Sequence, residues 1–205
     1  MAVAVASTSV ASSTTTTSTT IPVPTGVSNG DIVLAVLPIG GSATCTPPSG
    51  FQVAPQTPQT VTGYLHIFWK RATGAESGNY VFTHESISNR GGGTIRFTGC
   101  PRSGDPFAAT TVGTTSSTTS TAALSLTDLP SDTILVWAVS KLASATLTAY
   151  PSGFTTLVTT APGGVGYKTL SAATSSGTVQ GTVTASNTAS WMAAIRPEAG
   201  FGAFF

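Results

Sequence analysis

The stretch that decides the fold is Pro48-Ser49-Gly50-Phe51, which returns letter for letter at Pro151-Ser152-Gly153-Phe154. The segments that flank the two copies also match in kind and order. This duplication predicts two copies of one β unit, at residues 1–104 and 105–199, followed by a short apolar tail at 200–205. It leaves open whether the halves form two tandem sandwiches or one interleaved body.

We interpret the repeated motif as a structural corner, although loops often carry function. Proline and glycine set turns, and the phenylalanine that follows can anchor the next strand. A motif that stands at equivalent turns in both halves is more simply explained by the fold than by a ligand. The predicted corner residues are Pro48, Gly50, Phe51, Pro151, Gly153 and Phe154.

Composition predicts an all-β protein. Charged residues make up 7% of the 205 residues, far below the roughly 25% of an ordinary soluble domain. Serine and threonine take their place, with 22 Gly and 13 Pro. Threonine and valine suit pleated strands, while glycine and proline mark turns. We therefore expect a β-sandwich of the jelly-roll or immunoglobulin-like type, built from two pseudo-repeats.

The charge pattern argues against two classes of partner. A net charge of +1 offers no basic face that could follow a phosphate backbone, so we expect no nucleic-acid binding. No apolar run approaches the ~18 residues of a membrane span, so we expect no membrane partner either. A surface of hydroxyl groups resembles an interface, because interface cores are depleted in charge. A neutral secreted β protein is the alternative.

The strand at Asp31–Leu37 is apolar on both faces. Alternation sends Ile32, Leu34 and Val36 to one face and the residues between them to the other. A two-layer sandwich covers only one face of each sheet, so the other repeat, a loop or a partner subunit must cover the second. The same pattern recurs at 132–139. The other strands are predicted at 3–10, the second half of 12–20, 51–54, 64–71, 79–84 and 94–99, and again at 108–114, 116–126, 165–173, 178–185 and 190–196.

No residue set predicts catalysis, a metal or a cofactor. His66, His84 and Glu85 would have to meet to form a hydrolase site, but no GxSxG elbow supplies a nucleophile, and HExxH fails at Ser88. We interpret His66 as a packed or rim residue. The only candidates for a glycosidase pair in this region are Glu76 and Glu85, which we interpret as solvated turn residues.

Two further features have structural interpretations. The glycine-rich segments 91–93 and 163–166 lack the Lys-Ser/Thr of a phosphate loop, so we predict loops before strands. Cys45 and Cys100 belong to no CxxC pair, which argues against zinc. Two separate buried thiols are the favoured interpretation, and a single disulfide is the alternative.

Three phenylalanines close the tail, at Phe201, Phe204 and Phe205. Termini are usually polar and frayed, so an aromatic tail asks for an explanation. The side chains either plug the core of the chain itself or dock on a neighbouring subunit. Both interpretations stay open at the level of sequence.

The order of motifs resembles a group of tailed-bacteriophage virion proteins, the decoration and minor tail proteins. The resemblance lies in Pro-x-Gly-Val-x-x-Gly-Asp with its apolar strand (24–37), Pro-Pro-Ser-Gly-Phe (47–51), Lys-Arg-Ala-x-x-Gly (70–74) and Trp-Met-Ala-Ala-Ile-Arg-Pro (191–197). In that family a tryptophan often stands where Phe51 and Phe154 stand here. The resemblance implies a β-sandwich, no cofactor and a position on the particle surface.

The resulting hypothesis is a non-enzymatic structural protein of a bacteriophage virion. It would act as a capsid decoration (cement) protein or a tail-associated accessory protein, as a homo-oligomer in contact with other capsid or tail proteins. The alternative is a receptor- or carbohydrate-binding adhesin module. In that case Tyr64, Tyr80 or Tyr167 would stack on a host-surface glycan from a loop rim.

Overall fold

A computed structural model describes residues 1–11, 13–15, 17–40, 44–57, 59–60, 64–86, 89–141, 144–160, 162–172 and 174–199. The predicted all-β class is confirmed: antiparallel sheets pack against each other as in a β-sandwich. The strands are β1 (Ala4–Val10), β2 (Ser13–Thr14), β3 (Ser18–Pro22), β4 (Ile32–Gly40), β5 (Cys45–Thr46), β6 (Gln52–Val53), β7 (Gln59–Thr60), β8 (Tyr64–Arg71), β9 (Asn79–His84), β10 (Asn89–Arg90), β11 (Gly93–Thr98), β12 (Phe107–Ser120), β13 (Thr133–Lys141), β14 (Leu147–Ala149), β15 (Thr155–Thr160), β16 (Gly163–Leu170) and β17 (Thr182–Ile195).

Three sheets hold these strands. The first inner sheet runs β1-β11-β4-β8-β6, with β10 on β4 and β7 on β8. The outer sheet runs β2-β3-β9-β5 and also comes from the first repeat. The second inner sheet runs β12-β17-β13-β16-β15, with β14 on β17. Among the described residues, no sheet therefore mixes strands of the two repeats: the first inner sheet and the outer sheet contain only strands that end at or before Thr98, and the second inner sheet contains only strands from Phe107 onward, where β12 begins.

The two inner sheets face each other across a shared core. Ile32, Leu34 and Val36 of β4 lie in one cluster with Val136 and Ala138 of β13. All five side chains are fully or almost fully buried. The other repeat is thus what covers one face of each two-faced strand.

The opposite face of each two-faced strand is covered within its own repeat. Val33, Ala35 and Leu37 of β4 pack with Ile21 and Phe82 of the outer sheet. In the second repeat the face of β13 is covered by extended segments, which isolated bridges join at Leu124–Val179 and Leu129–Thr174. The residues of this third core are Leu124, Leu126, Leu129, Leu135, Trp137, Val139, Leu170, Val179, Met192 and Ala194.

Two pairs of predicted strands are single strands, and those boundaries were wrong. Segments 108–114 and 116–126 share β12, which ends at Ser120, and segments 178–185 and 190–196 share β17. The register of β12 against β17 shifts between Thr115 and Thr118, where Ser117 has a φ of 51°. A bulge of this kind bends a strand without ending it.

The glycine-rich segments lie where the two repeats approach each other. A Cβ built on Gly91 would lie 2.7 Å from Cβ of Thr160, and one on Gly163 would lie 2.8 Å from Cβ of Pro38. Residues 163–166 belong to β16, so the prediction of a loop there was wrong. Glycine is required at these positions because the facing segment of the other repeat occupies the space that a side chain would need. This close packing of the two backbones is compatible with a strand at residues 163–166.

Candidate functional site

The two copies of the repeated motif form the same turn. The Phe51 amide donates to the Pro48 carbonyl oxygen at 3.4 Å, and the Phe154 amide donates to that of Pro151 at 3.1 Å. The glycine of each copy has a positive φ, 87° at Gly50 and 77° at Gly153. Glycine adopts this conformation without the steric cost of a Cβ. The shared geometry supports the corner interpretation.

A lysine lies over each corner. A Cβ on Gly50 would lie 3.7 Å from Nζ of Lys70, and one on Gly153 would lie 3.6 Å from Nζ of Lys168. Lys70 also sits 5.7 Å from the ring centroid of Phe51, within cation–π range. The two repeats therefore share a lysine beside the corner as well as the corner itself, Lys70 on β8 and Lys168 on β16.

Glu76 is not the solvated turn residue that we expected. Its carboxylate, 3% exposed, pairs with Lys70 at 3.0 Å and accepts the backbone N–H groups of Thr73 and Gly74, each at 2.9 Å. Burial raises the pKa of Glu76, but hydrogen bonds from the Thr73 backbone and from Lys70 outweigh it and lower the pKa to about 2. The acid belongs to the first corner as an ionised partner of Lys70.

The histidines and Glu85 make separate structural contacts. The buried His66 ring stacks between Tyr64 and Phe68, with centroids 5.8 and 6.1 Å away. The ring nitrogens of His84 lie 3.1 Å from the Thr19 hydroxyl and 3.0 Å from the backbone oxygen of Glu85. The Glu85 carboxylate instead accepts the Thr44 hydroxyl at 2.7 Å. His84 is thus oriented by a backbone oxygen and not by a carboxylate.

The cysteines are free thiols, as the favoured interpretation held. Cys100 is buried and Cys45 is half-buried. Burial raises the pKa of each thiol to about 12. Neither side chain is therefore a thiolate near neutral pH.

Of the tyrosines proposed for sugar stacking, Tyr80 lies in the core and the other two are half-buried. Tyr80 is 7% exposed in the core beside Phe51, with ring centroids 5.0 Å apart, so its placement on a rim was wrong. Tyr167 is half-buried against the shared core, and Tyr64 stacks on His66. The tail residues Phe201, Phe204 and Phe205 lie outside the described residues, and their docking role stays a prediction.

Two arginines hold the segment that joins the repeats. Nη1 of Arg71 donates to the carbonyl oxygens of Pro101 and, at 3.3 Å, of Gly30, and Nη2 donates to that of Gly104 at 3.0 Å. Nη2 of Arg196, from the second repeat, donates to the backbone oxygen of Asp105 at 2.5 Å. Burial is the main cause that lowers the pKa of Arg71. The junction is thereby tied to both repeats.

A cleft of about 400 Å³ opens beside this junction. Trp69, which is 7% exposed, lines the cleft. Its ring meets that of Phe107 edge to face at a centroid distance of 6.1 Å, and Phe107 meets Trp191 in the same way at 5.8 Å. We call this opening the junction cleft; it is lined by Gln52, Val53, Pro55, Trp69, Arg71, Gly104 and Asp105. No motif in the sequence marks this cleft. Arg71 has one visible signal: the second repeat has Thr169 after Lys168 where the first has Arg71 after Lys70.

Three edge strands of the inner sheets, β1, β12 and β15, contain no charged residue. β12 ends the second inner sheet on one side and β15 on the other, while β1 ends the first inner sheet. None of these strands contains Lys, Arg, Asp, Glu or Pro. In the part of the chain that the structure describes, no strand pairs with the outer side of β12.

Neither the described side chains nor the comparison with known proteins assigns a function to the chain. Within the described ranges, no group of His, Cys, Asp and Glu side chains could hold a metal ion. The described residues also contain no helix that is long and apolar enough to cross a membrane. The chain matches no protein-family model, no curated protein and no solved structure.

Proposed function

We propose that the protein is a non-enzymatic structural component of a bacteriophage virion, a decoration or tail-associated protein that assembles through its sheet edges. The observation that carries this proposal is the uncharged outer edge of β12. The regular part of this edge, Ala109–Thr115, pairs with β17 without a register shift.

An open edge presents a row of unpaired N–H and C=O groups, which is a template for another strand. Proteins that stay monomeric commonly guard such edges with lysine, proline or inward-pointing charge. Here the edge has only hydroxyl, methyl and glycine groups. A second copy paired antiparallel along it would place no like charges opposite each other.

The shared core adds a second support. A protein that is to be embedded in a particle needs a rigid body, and here both inner sheets press fully buried side chains such as Phe97 and Trp191 into one cluster. The low overall charge, 7% of residues, suits a surface that becomes an interface. The protein would contact itself and other capsid or tail proteins at the particle surface.

Particle attachment tests this function. Antibodies against the recombinant protein should label purified virions, and the protein should co-sediment with them. Ala108→Lys combined with Thr114→Lys adds guard charges at exposed positions of β12 and should abolish both co-sedimentation and self-association by light scattering. Val81→Lys is the matched control, because Val81 is 46% exposed on β9, which has a strand on each side.

Two results would overturn the proposal. One is the absence of the protein from purified particles. The other is a doubly substituted β12 variant that assembles as well as the wild-type protein while both remain folded, since the edge would then have no role in assembly.

A further inference from the structure

We propose that the junction cleft binds one neutral pyranose ring of a saccharide. This inference goes beyond the structural function, since a virion component can assemble without a sugar. It also moves the glycan hypothesis from the tyrosines to a different set of residues. The groups that would contact the sugar are the side chains of Gln52 and Asp105 and the exposed 7% of Trp69.

The lining of the cleft includes both apolar and polar residues. Val53 is 56% exposed at its rim, and Gln52 is exposed and pairs in register with Trp69. A volume of about 400 Å³ lies in the range of small-molecule sites. A pyranose has the matching surface, because its ring C–H groups are apolar and its hydroxyl groups lie around the rim.

The wall that carries Asp105 is held before any ligand arrives. Oδ1 of Asp105 accepts the Phe107 amide at 2.8 Å, which orients the carboxylate. Arg71 and Arg196 hold the backbone on either side through the oxygens of Gly104 and Asp105. A fixed wall reduces the entropy lost on binding, which matters for a weak ligand.

The balance of charge selects the class of ligand. Arg71 directs its terminal N–H groups to backbone oxygens, so it offers little to an incoming anion. The single carboxylate, Asp105, would repel an anion and is too little to hold a metal cation, which takes several oxygen ligands. A neutral hydroxyl pair suits the carboxylate and the Gln52 amide, since both accept hydrogen bonds and the amide also donates.

The second repeat supplies an internal comparison. Thr155 pairs with Tyr167 just as Gln52 pairs with Trp69, so the two positions are equivalent in the repeat. The second repeat has Thr169 in place of Arg71, and so lacks the arginine that holds a junction in place. The fold common to both repeats therefore does not require Gln52 and Arg71.

The test is a titration of the full chain with named sugars, monitored by ¹H–¹⁵N NMR. The probes are methyl glucoside, methyl galactoside, methyl mannoside and N-acetylglucosamine, with N-acetylneuraminic acid as the anionic probe. At least one neutral probe should shift the Trp69 indole and the Gln52 side-chain amide with a dissociation constant in the millimolar range, and the anionic probe should not. A glycan array of the same residues at chain ends shows whether the source is a surface glycan or a free sugar.

Matched variants decide where the sugar binds. Gln52→Ala and Asp105→Asn should each weaken binding roughly tenfold or more, equal to about 1.4 kcal/mol. The controls are Thr155→Ala, at the equivalent position, and Asp128→Asn, in an exposed loop of the second repeat. Both should bind as the wild-type protein does.

Three outcomes would overturn the proposal. They are no shift with any neutral probe, equal loss of binding in the control variants, and stronger binding of the anionic probe. Melting temperatures of all variants separate lost binding from lost folding. None of these results depends on particle attachment, so the sugar site and the structural function fail independently.

Discussion

The indole nitrogen of Trp191 donates a hydrogen bond to the backbone oxygen of Pro55 at 3.0 Å. The two residues belong to different repeats, on β17 and after β6. The bond lies in the shared core, where Trp191 is fully buried. It ties the last strand of the second repeat to the segment that follows β6 in the first.

Trp191→Phe should destabilise the protein more than the same change at Trp137. Both indoles are fully buried, but the Trp137 nitrogen has no hydrogen-bond partner within the described structure. The difference should be about 1–2 kcal/mol, because Trp191→Phe also leaves the Pro55 oxygen unpaired. Urea unfolding of both variants measures it; equal losses would show that the hydrogen bond adds nothing.

Glu76→Gln should make the free energy of unfolding depend less on pH between pH 6 and pH 2. The folded pKa of about 2 lies below the ordinary value of 4.5, so the ionised group stabilises the fold above about pH 4.5. That contribution is lost as the pH falls toward 2. The free energy of unfolding of wild type and variant should therefore differ at pH 6 by roughly 1–3 kcal/mol and converge near pH 2.

The matched control for this acid is Glu198→Gln. The ion pair of Glu198 with Arg102 is exposed, at 36% and 84% of the two side chains, and exposed pairs contribute little. The control should keep the wild-type pH profile between 6 and 2. If the Glu76→Gln variant also keeps the wild-type dependence of unfolding free energy on pH, the ionised Glu76 carboxylate does not stabilise the fold.

Gly163→Ala should loosen the contact between the two repeats. Its Cβ would lie 2.2 Å from the Val139 oxygen and 2.8 Å from Cβ of Pro38, so backbone must move. We expect a loss of about 3 kcal/mol by thermal unfolding. Gly177→Ala is the control: nothing lies within 4 Å and only the positive φ of 64° is strained, which costs about 1 kcal/mol.

Phe51→Ala and Phe154→Ala should each destabilise the protein by about 2–3 kcal/mol, below the cost for a fully buried ring. Both side chains are half-buried, and the Phe51 ring meets Tyr80 and Phe82 edge to face at 5.0 and 5.4 Å. Val53→Ala, at an exposed site, should cost less than about 0.5 kcal/mol. Unchanged melting of either Phe variant combined with lost particle attachment would contradict the corner interpretation.

Much of the fold could be predicted from periodicity. The predicted bounds of β8 and β9 match the structure, since each is a short run rich in aromatic and apolar residues and turn residues separate the two. The two apolar faces of β4 indicated that a second layer must cover it, and the outer sheet does so. The repeated motif and the apolar strands can be recognised from the sequence because each is a pattern of consecutive residues.

The joined strands could not be predicted in the same way. Serine and threonine runs within β12 have no apolar alternation, so neither the bulge after Thr115 nor the end of the strand leaves a trace in the sequence. The burial of Glu76 depends on Lys70 reaching it from β8. Such a contact is set by packing and not by neighbours in the chain.

The junction cleft was hidden for a third reason. Gln52, Trp69 and Asp105 come from three separate segments, and none of them is part of a known motif. Only the pairing of β6 with β8 and the hold of Arg71 on the junction bring them together. Residues that differ between equivalent positions of a duplicated chain are the signal to look for.

The position of β17 in the second inner sheet has a consequence for synthesis on the ribosome. This strand lies between β12 and β13, so those two strands have no native partner for their facing edges until Ile195 has been made. The first inner sheet can form once Thr98 emerges, but its face with Leu34 and Phe97 then waits for the second repeat to cover it. During this interval the nascent chain exposes an apolar sheet, a state in which aggregation competes with folding.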